Sequence, residues 1–468
     1  MAGKAAESLS AEIIGLAAHI AGAATTPLPT RIRTKTRLHL LDSLAAIVSG
    51  TRLAAGLRGA HFVAPTGGAP EALAIGARLL LPAAQAAFAN AMAAHADETD
   101  DSHLASRCHP GCAIVPAALA VAERADANGE TFLRAIATGY DVAARINIAL
   151  GFPPPAKARH STHSIGPAFG AAAACAVLLR FDERQVRHML AYSAQQASGI
   201  PFWNRDPDHV EKAFDFAGMP ARNGTLAALM VADGFTGVDD PFSGTHNFFA
   251  AFADRPDPAA LLDGLGERFE IERASIKKWC VGSPIQAVLD AIIAITGGAR
   301  HAPAAISAIR LTLPDDRIHI VDDRAMPDVC VQHLAALALL DGTVGFAAGH
   351  DVARMQDPAI LALRARTSLV PSPELTLAVP ARQAIVELVF SDGTTRRHHA
   401  QAVRGTPENP MTEAEVEAKA RELMAPLLGP HATTALIDAV RGLDAVGPVR
   451  DLRPFLHLID TPEEADHG

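Results

Sequence analysis

The sequence predicts a mainly α-helical protein, in which a large helical domain is interrupted by a smaller α+β domain. Alanine carries much of the apolar content, as in the run 171–174, and alanine favours helices over strands. Apolar residues keep a helical spacing over most of the first 270 residues and change to period two near Ile309. A chain of 468 residues is too long to fold around one small hydrophobic core. We therefore predict two domains, one formed by 1–270 plus 406–468 and the other by 271–405.

The helices of the first domain are predicted from apolar residues that recur every three or four positions. In the segment 32–48, Leu41, Leu44 and Val48 share one helical face, and Gly50 is predicted to end the helix. Four further segments have the same character between Gly, Asn or Pro residues: 113–123, 131–146, 166–179 and 223–233.

The strands of the second domain are predicted from alternation of apolar and polar residues. The segment 309–313 and part of 384–390 alternate at period two, and the sequence 391–393 is a turn leading into another strand at 394–403. Helical character resumes at Thr412, where Glu415 stands three residues on, as in a capping box. No comparable alternation occurs before about residue 300.

The composition excludes several classes of protein. A hydrophobic content of 49% rules out a largely disordered chain, and a net charge of −10 argues against a nucleic-acid partner. No run of about 18 apolar residues is present, so we expect no membrane span. Five scattered cysteines and the lack of a visible signal peptide favour a reducing, cytoplasmic location.

The densest polar cluster lies between two alanine-rich helical segments. It contains Glu98, Asp100, Asp101 and Ser102, and His109 follows shortly after. Such a cluster is often only a solvated loop. Alternatively, a carboxylate beside an imidazole orients the ring and raises its basicity, which is what a general acid/base pair requires.

A zinc site in the same cluster is a weaker alternative. His103, Cys108, His109 and Cys112 supply the right ligand types. Their spacing matches no standard zinc pattern, and neighbouring residues rarely both bind one ion. We therefore expect no metal in this cluster.

A second cluster opens an alanine-rich helix with His160, Thr162 and His163. Hydroxyl groups and free backbone N–H groups at a helix start bind anions, although the same hydroxyl groups also serve as simple helix caps. The two histidines are harder to explain as caps.

Two further clusters contain lysine. Lys212 follows Arg205 in the chain, and it is either an anion ligand or a surface lysine paired with a neighbouring acid. Lys277 precedes Gln286 where the helical pattern gives way to the mixed one. Domain junctions often hold substrate sites, whereas an exposed basic turn is the simpler explanation for Lys277.

Taken together, these segments resemble the MmgE/PrpD family over nearly the whole chain. No single motif decides the resemblance, which depends on the order of the motifs. They are, along the chain, His95 to Asp101, His109-Pro110-Gly111, Gly139-Tyr140, the histidine- and threonine-rich entry to a Gly/Ala helix, Lys212 before Gly218, 234–237, Ile276-Lys277 and 405–412.

The resemblance implies a large helical domain with an α+β lid, a homodimer, and catalysis without a metal or organic cofactor. Carried over by position, it implies an acidic loop at Glu98, Asp100, Asp101 and Ser102. It also implies a loop histidine at His109, a second histidine at His160 or His163, and lysines at Lys212 and Lys277. Ser102, Thr162 and Arg205 are weaker candidates for substrate contacts.

The chain also departs from better-known members of the family. His333 stands where a tyrosine is usual, and Gln286 where many members have a histidine. The spacing from Lys212 to Gly218 is one residue longer than usual. Tyrosine and histidine differ as proton donors, so these departures bear on the reaction.

The resemblance implies a lyase, either a dehydratase or a decarboxylase, acting on a small anionic di- or tricarboxylate by proton transfer next to a carboxylate. An isomerase or epimerase using the same acid/base site is the first alternative, and an inactive carboxylate-binding protein is the second. For each of these three functions, we expect one cleft to bring together His109, one of His160 and His163, and both Lys212 and Lys277.

Overall fold

The computed structural model describes residues 8–153, 157–445 and 447–459, except for the side chain of Asn204. The chain forms two compact units. The first comprises Met1–Ala96, Asp100–Ala274 and Glu417–Gly468, and the second comprises Asp97–Thr99 and Ser275–Val416. The ends of the first predicted domain, 1–7 and 460–468, lie outside the described residues.

The first unit consists mainly of helices, as the alanine-rich composition predicts. The last two helices of this unit are Glu413–Leu428, which begins in the second unit, and Pro430–Arg441. The preceding helices are Ala11–Ala23, Thr30–Gly50, Ala54–Val63, Ala83–Ala94, Gly111–Arg124, Gly129–Leu150, Thr162–Leu178, Glu183–Gln195, Val210–Ala213, Met219–Ala232 and Phe248–Phe252.

Glycines allow the helices Gly129–Leu150 and Thr162–Leu178 to cross closely. A Cβ atom on Gly170 would lie 2.5 Å from the carbonyl oxygen of Gly139, and one on Gly139 would lie 2.9 Å from that of Gly170. Because no side chain fits these spaces, glycine is required at the crossing. The crossing fixes the position of the helix whose first turn carries His163.

The first unit also contains short strands that the sequence did not predict. Ala72–Ala74 and Leu79–Leu81 form an antiparallel hairpin in which Ala72 faces Leu81. Two-residue strands lie at Ser102–His103 and at Ala274–Ser275, whose second residue is already the start of the second unit. Such short segments contain too few residues for an alternating pattern to be recognised.

The second unit contains a four-stranded sheet, and its position confirms the predicted concentration of strands between 300 and 405. In the sheet, the strands lie in the order Thr367–Ser372, Ile306–Pro314, Ala384–Phe390 and Thr395–Ala400. The first pair is parallel and the other two pairs are antiparallel. The sequence did not predict the edge strand Thr367–Ser372, which contains Pro371.

Helices pack with the sheet to form the core of the second unit. Ile309 and Leu311 of the sheet share this buried core with Leu289 and Leu337 from two helices. The helices of the unit are Gln286–Thr296, Ile318–Val321, Val331–Asp341, Phe346–His350, Pro358–Arg364 and Pro373–Thr376.

Among the described helices, no single one combines the length and the apolar character needed to cross a membrane. The helix Thr30–Gly50 and the segment Ala54–Thr66 meet that criterion only as a pair, which bends by 82°.

Candidate active site

The acidic segment that follows the helix Ala83–Ala94 is buried in the protein. Asp100, Asp101 and Ser102 are at most 2% exposed, and His109 is 8% exposed. A solvated loop would leave these side chains in water, so that interpretation is wrong. Burying several carboxylates is costly unless they are hydrogen-bonded, and their partners therefore indicate what each of them does.

Asp100 accepts hydrogen bonds from two imidazole rings. His95 Nδ1 lies 2.9 Å from Asp100 Oδ2, and His109 Nδ1 lies 3.1 Å from the same oxygen. An ionised carboxylate only accepts hydrogen bonds, so each ring presents an Nδ1–H to it. In the neutral form, the Nε2 atom of each ring is then left as a base.

Among the residues that the structure describes, the same three side chains also form the group whose geometry could suit a metal ion. The potential ligand atoms of His95, Asp100 and His109 lie within 4.8 Å of one another. Their nitrogen–oxygen distances of 2.9 and 3.1 Å are also those of ordinary N–H···O hydrogen bonds. Hydrogen bonding accounts for the arrangement without an ion.

Asp101 has a different set of partners, although it is the next residue in the chain. Its Oδ2 accepts from Tyr140 Oη at 2.7 Å and lies 2.6 Å from His39 Nδ1. Its Oδ1 accepts the backbone N–H of Gly111 at 2.9 Å. Burial opposes ionisation, but the hydrogen bonds from His39 and Tyr140 outweigh it and lower the pKa of Asp101.

Asp101 therefore anchors the first turn of the helix Gly111–Arg124. A Cβ on Gly111 would lie 2.8 Å from Asp101 Oδ1 and 2.6 Å from Tyr140 Oη, so only glycine fits there. His109 is two residues before this glycine, and Asp101 thus fixes the backbone that carries His109. Asp100 contacts His109, whereas Asp101 does not orient it directly.

Phe216 forms the aromatic wall of the site. The His163 ring stacks on it at 3.7 Å between ring centroids, and the His95 ring stacks on it at 4.5 Å. The ring of His109 lies 5.5 Å from that of His163. The Lys212 ammonium lies 5.3 Å from the centre of the Phe216 ring. A cation therefore contacts the same ring as the histidines.

A π-helical turn, Phe214–Gly218, places Phe216 in this position between the helices Val210–Ala213 and Met219–Ala232. A π-turn accommodates one residue more than an α-turn. It would accommodate the one extra residue that the family resemblance implies between Lys212 and Gly218. Such turns occur often at functional sites.

The cap of the helix Thr162–Leu178 holds His163. Ser161 Oγ accepts the His163 backbone N–H at 3.3 Å and donates to Asp215 Oδ2 at 2.5 Å. Thr162 Oγ1 donates to the carbonyl oxygen of Arg107 at 2.7 Å. The hydroxyl groups of this segment therefore act as caps and tethers, in line with the simpler of the two sequence interpretations.

Two predicted residues of the first unit lie apart from this group. His160 lines a different cavity with Phe252, whose ring centroid is 6.0 Å away. Arg205 is exposed and lies over Phe202. Of the two alternative histidines, the structure places His163, not His160, beside His109.

The second unit holds Lys277 in a buried position. Its ammonium donates to the carbonyl oxygen of Glu98 at 2.9 Å and lies 3.3 Å from Glu98 Oε2. Lys277 is 4% exposed, so the exposed basic turn considered for it is wrong. Next to Glu98, Asp97 pairs with His350 Nε2 at 2.8 Å. Burial alone would lower the pKa of His350, but this pair outweighs burial and raises it to about 9.

The two positions at which the family resemblance implies a departure differ in their surroundings. Gln286 is fully engaged, since it donates to the carbonyl oxygens of Trp279 and Val281 and accepts the Trp279 N–H. His333 is wholly buried, and neither ring nitrogen has a hydrogen-bond partner among the described residues. Burial lowers the pKa of His333 to about 4, so this ring is neutral at pH 7.

Sequence reasoning did not select several residues of the site. His95, His209 and Phe216 surround the predicted residues, and the ring of His209 lies 5.1 Å from that of His95. His209 has a positive φ of 64°, which is uncommon outside glycine and asparagine. His95 stood in the acidic cluster and could have been chosen, whereas nothing local to Phe216 indicates its role.

Residues 15–261 match the MmgE/PrpD N-terminal domain, and residues 279–445 match the MmgE/PrpD C-terminal domain. The chain therefore belongs to the MmgE/PrpD family, which confirms the resemblance seen in the sequence.

Three relatives of this chain carry names that refer to cis-aconitate decarboxylase. The chain is 26% identical to cis-aconitate decarboxylase of Mus musculus, over 83% of this chain and 80% of that protein. It is 24% identical to cis-aconitate decarboxylase of Homo sapiens, over 83% and 82%. It is 22% identical to the cis-aconitate decarboxylase-like protein oryM of Aspergillus oryzae, over 78% and 81%.

Proposed function

We propose that this protein is a lyase, a decarboxylase or dehydratase, that acts on a small di- or tricarboxylate by proton transfer next to a carboxylate. The observation that carries the proposal is the buried Asp100–His109 pair, with His163 and Lys212 beside it. The family and the names of the relatives support the same reaction class.

His109 is assigned as the acid/base group. Asp100 holds its Nδ1–H, so Nε2 takes or gives the proton, and the carboxylate stabilises the imidazolium. In a decarboxylation, the carbon–carbon bond breaks, carbon dioxide leaves, and the electron pair stays on carbon until the imidazolium protonates it. In a dehydration, the imidazole removes the proton next to the carboxylate. The carbon–oxygen bond then breaks, and the leaving hydroxide takes the proton back from the imidazolium and departs as water.

Lys212 is assigned to a substrate carboxylate. Its ammonium lies over the faces of Phe216 and Trp203, which keep bulk water from one side. In such a setting, a fixed cation stabilises developing negative charge more strongly than water does. His163 shares the same aromatic wall and is assigned as a second proton-transfer or hydrogen-bonding group.

We also propose that Lys277 binds a substrate carboxylate and that the second unit acts as a lid. One support is the family resemblance. The other is the burial of Lys277 beside Glu98, because this position already holds a cation against a carboxylate. Lys277→Gln should raise KM strongly if the ammonium holds substrate in both the ground and transition states. An unchanged KM would remove Lys277 from the site.

The experiment is a mass-resolved screen of purified protein against di- and tricarboxylic acids, beginning with cis-aconitate. Loss of carbon dioxide identifies a decarboxylase, loss of water identifies a dehydratase, and a new isomer of unchanged mass identifies the epimerase alternative. His109→Gln should abolish turnover, while His160→Ala is the matched control and should retain it. Ligand-induced thermal stabilisation without any product would indicate a binding protein and overturn the proposal.

A further inference from the structure

We propose that His95 is a positioning residue for His109 and acts through Asp100. This inference deepens the proposed function and rests on it for its kinetic part only. The feature that supports it is the Asp100 carboxylate, which serves two imidazole rings. Its Oδ2 lies 2.9 Å from His95 Nδ1 and 3.1 Å from His109 Nδ1, and its Oδ1 lies 3.2 Å from His109 Nδ1.

The shared oxygen determines the tautomer of both rings. A neutral imidazole has one N–H, and an ionised carboxylate can only accept. Both His95 and His109 must therefore carry their proton on Nδ1, with no proton on Nε2 in the neutral state. His109 Nδ1 faces both carboxylate oxygens, and the donor from His95 holds Oδ2 from a second ring and so constrains the torsion of the carboxyl group.

His95 itself cannot touch a substrate. Its side chain is 0% exposed, and its Nε2 is buried without a hydrogen-bond partner among the described residues. Its ring is stacked on Phe216, nearly parallel at 18°. His109 is the ring of the pair that retains exposed surface, so a proton reaches substrate from His109.

The backbone holds His95 firmly. The residue caps the helix Ala83–Ala94, and its N–H donates to the carbonyl oxygen of Ala91 at 3.2 Å. A donor attached to a helix end is a fixed point, whereas Asp100 and His109 lie on the following loop. His95 thus transfers the rigidity of the helix to the orientation of the acid/base group.

Two variants separate the donor from the ring. His95→Phe keeps a ring on Phe216 and removes Nδ1–H, while His95→Asn removes the ring and keeps an N–H near the same place. In crystal structures, Asp100 should turn away and its contact with His109 should exceed 3.5 Å, beyond hydrogen-bond range, in His95→Phe only. In kinetics, kcat should fall roughly tenfold in His95→Phe, with KM unchanged within about twofold, because one hydrogen bond of about 1.4 kcal/mol is lost. His95→Asn should restore most of kcat.

The opposite ranking, with Phe active and Asn inactive, would show that stacking is what matters and would overturn the proposal. An unchanged Asp100–His109 contact in His95→Phe would overturn it as well. Neutron diffraction on the unaltered protein tests the tautomers without variants or substrate: deuterium should lie on Nδ1 of both rings, and deuterium on His95 Nε2 instead would refute the assignment. The diffraction results hold whether or not the substrate class is right, so failure of the proposed function is distinguishable.

Discussion

Asp100 and Asp101 are adjacent, buried carboxylates, and we predict that replacing each with asparagine has opposite consequences. Asparagine is nearly isosteric with aspartate, and both changes remove one negative charge. The pair is therefore internally matched, and any difference between the variants reflects the partners that the structure gives each side chain.

For Asp101→Asn, we expect mainly a loss of stability. The carboxylate accepts from three donors, on Gly111, Tyr140 and His39. The single amide oxygen can replace Oδ2 and keep Tyr140 and His39, but the NH2 group then meets the Gly111 N–H. One buried donor is left unpaired at a cost of about 1–3 kcal/mol, and kcat should change little once the protein is folded.

For Asp100→Asn, we expect mainly a loss of activity. The amide oxygen in the Oδ2 position can still accept from His95 and His109, so the stability change should stay below about 1 kcal/mol. The imidazolium of His109 loses its counter-charge, and the NH2 group can impose the wrong tautomer. Losses of this kind lower kcat by roughly 10²–10⁴-fold.

Urea unfolding and steady-state kinetics on the same preparations measure both effects. The proposed division of roles requires a lower unfolding midpoint for Asp101→Asn and a lower kcat for Asp100→Asn. The converse result, an unstable but active Asp100→Asn with a stable but inactive Asp101→Asn, would refute the reasoning.

Three further predictions concern other parts of the chain. His163→Ala should lower kcat at least tenfold, on the order of 1.4 kcal/mol, while His160→Ala should not, and equal losses in steady-state assays would count against the site. The pKa of His350 is raised to about 9, so its pair with Asp97 stabilises the fold fully below pH about 6.5. Up to about 3 kcal/mol of folding stability is lost as the pH rises through 9. The urea unfolding midpoints of His350→Gln and of the unaltered protein should therefore converge above pH 9. Elemental analysis of purified protein should find no stoichiometric metal, and about one metal per chain with activity lost to chelators would contradict the hydrogen-bonded interpretation of Asp100.

Helices and strands with strong local patterns could be predicted from the sequence. The strand Ala384–Phe390 contains the alternating segment predicted there. At the start of Glu413–Leu428, the Thr412 N–H donates to Glu415 at 2.8 Å and the Glu415 N–H returns to Thr412 at 3.3 Å, so the predicted capping box is present. The parallel strand Thr367–Ser372 could not be predicted, because it depends on pairing with Ile309 to Pro314 and not on its own alternation.

The candidate site could be predicted in composition but not in pairing. The acidic cluster shows that carboxylates and imidazoles lie close together, whereas the choice between Asp100 and Asp101 depends on Tyr140 and His39, which are 39 and 62 residues from Asp101 in the chain. The choice between His160 and His163 similarly depends on Phe216. Tertiary contacts decide which member of a local cluster has which role.

The π-turn at Phe214–Gly218 has a consequence for how this site could change in evolution or by design. Each residue of an α-helix turns the chain by about 100°. Deleting one residue within the turn would therefore rotate Lys212 relative to the helix Met219–Ala232, while the buried face of that helix stayed where it is. A one-codon deletion could in this way re-aim the cation at a differently shaped acid, and it would also move Phe216, the buried ring on which His95 and His163 stack.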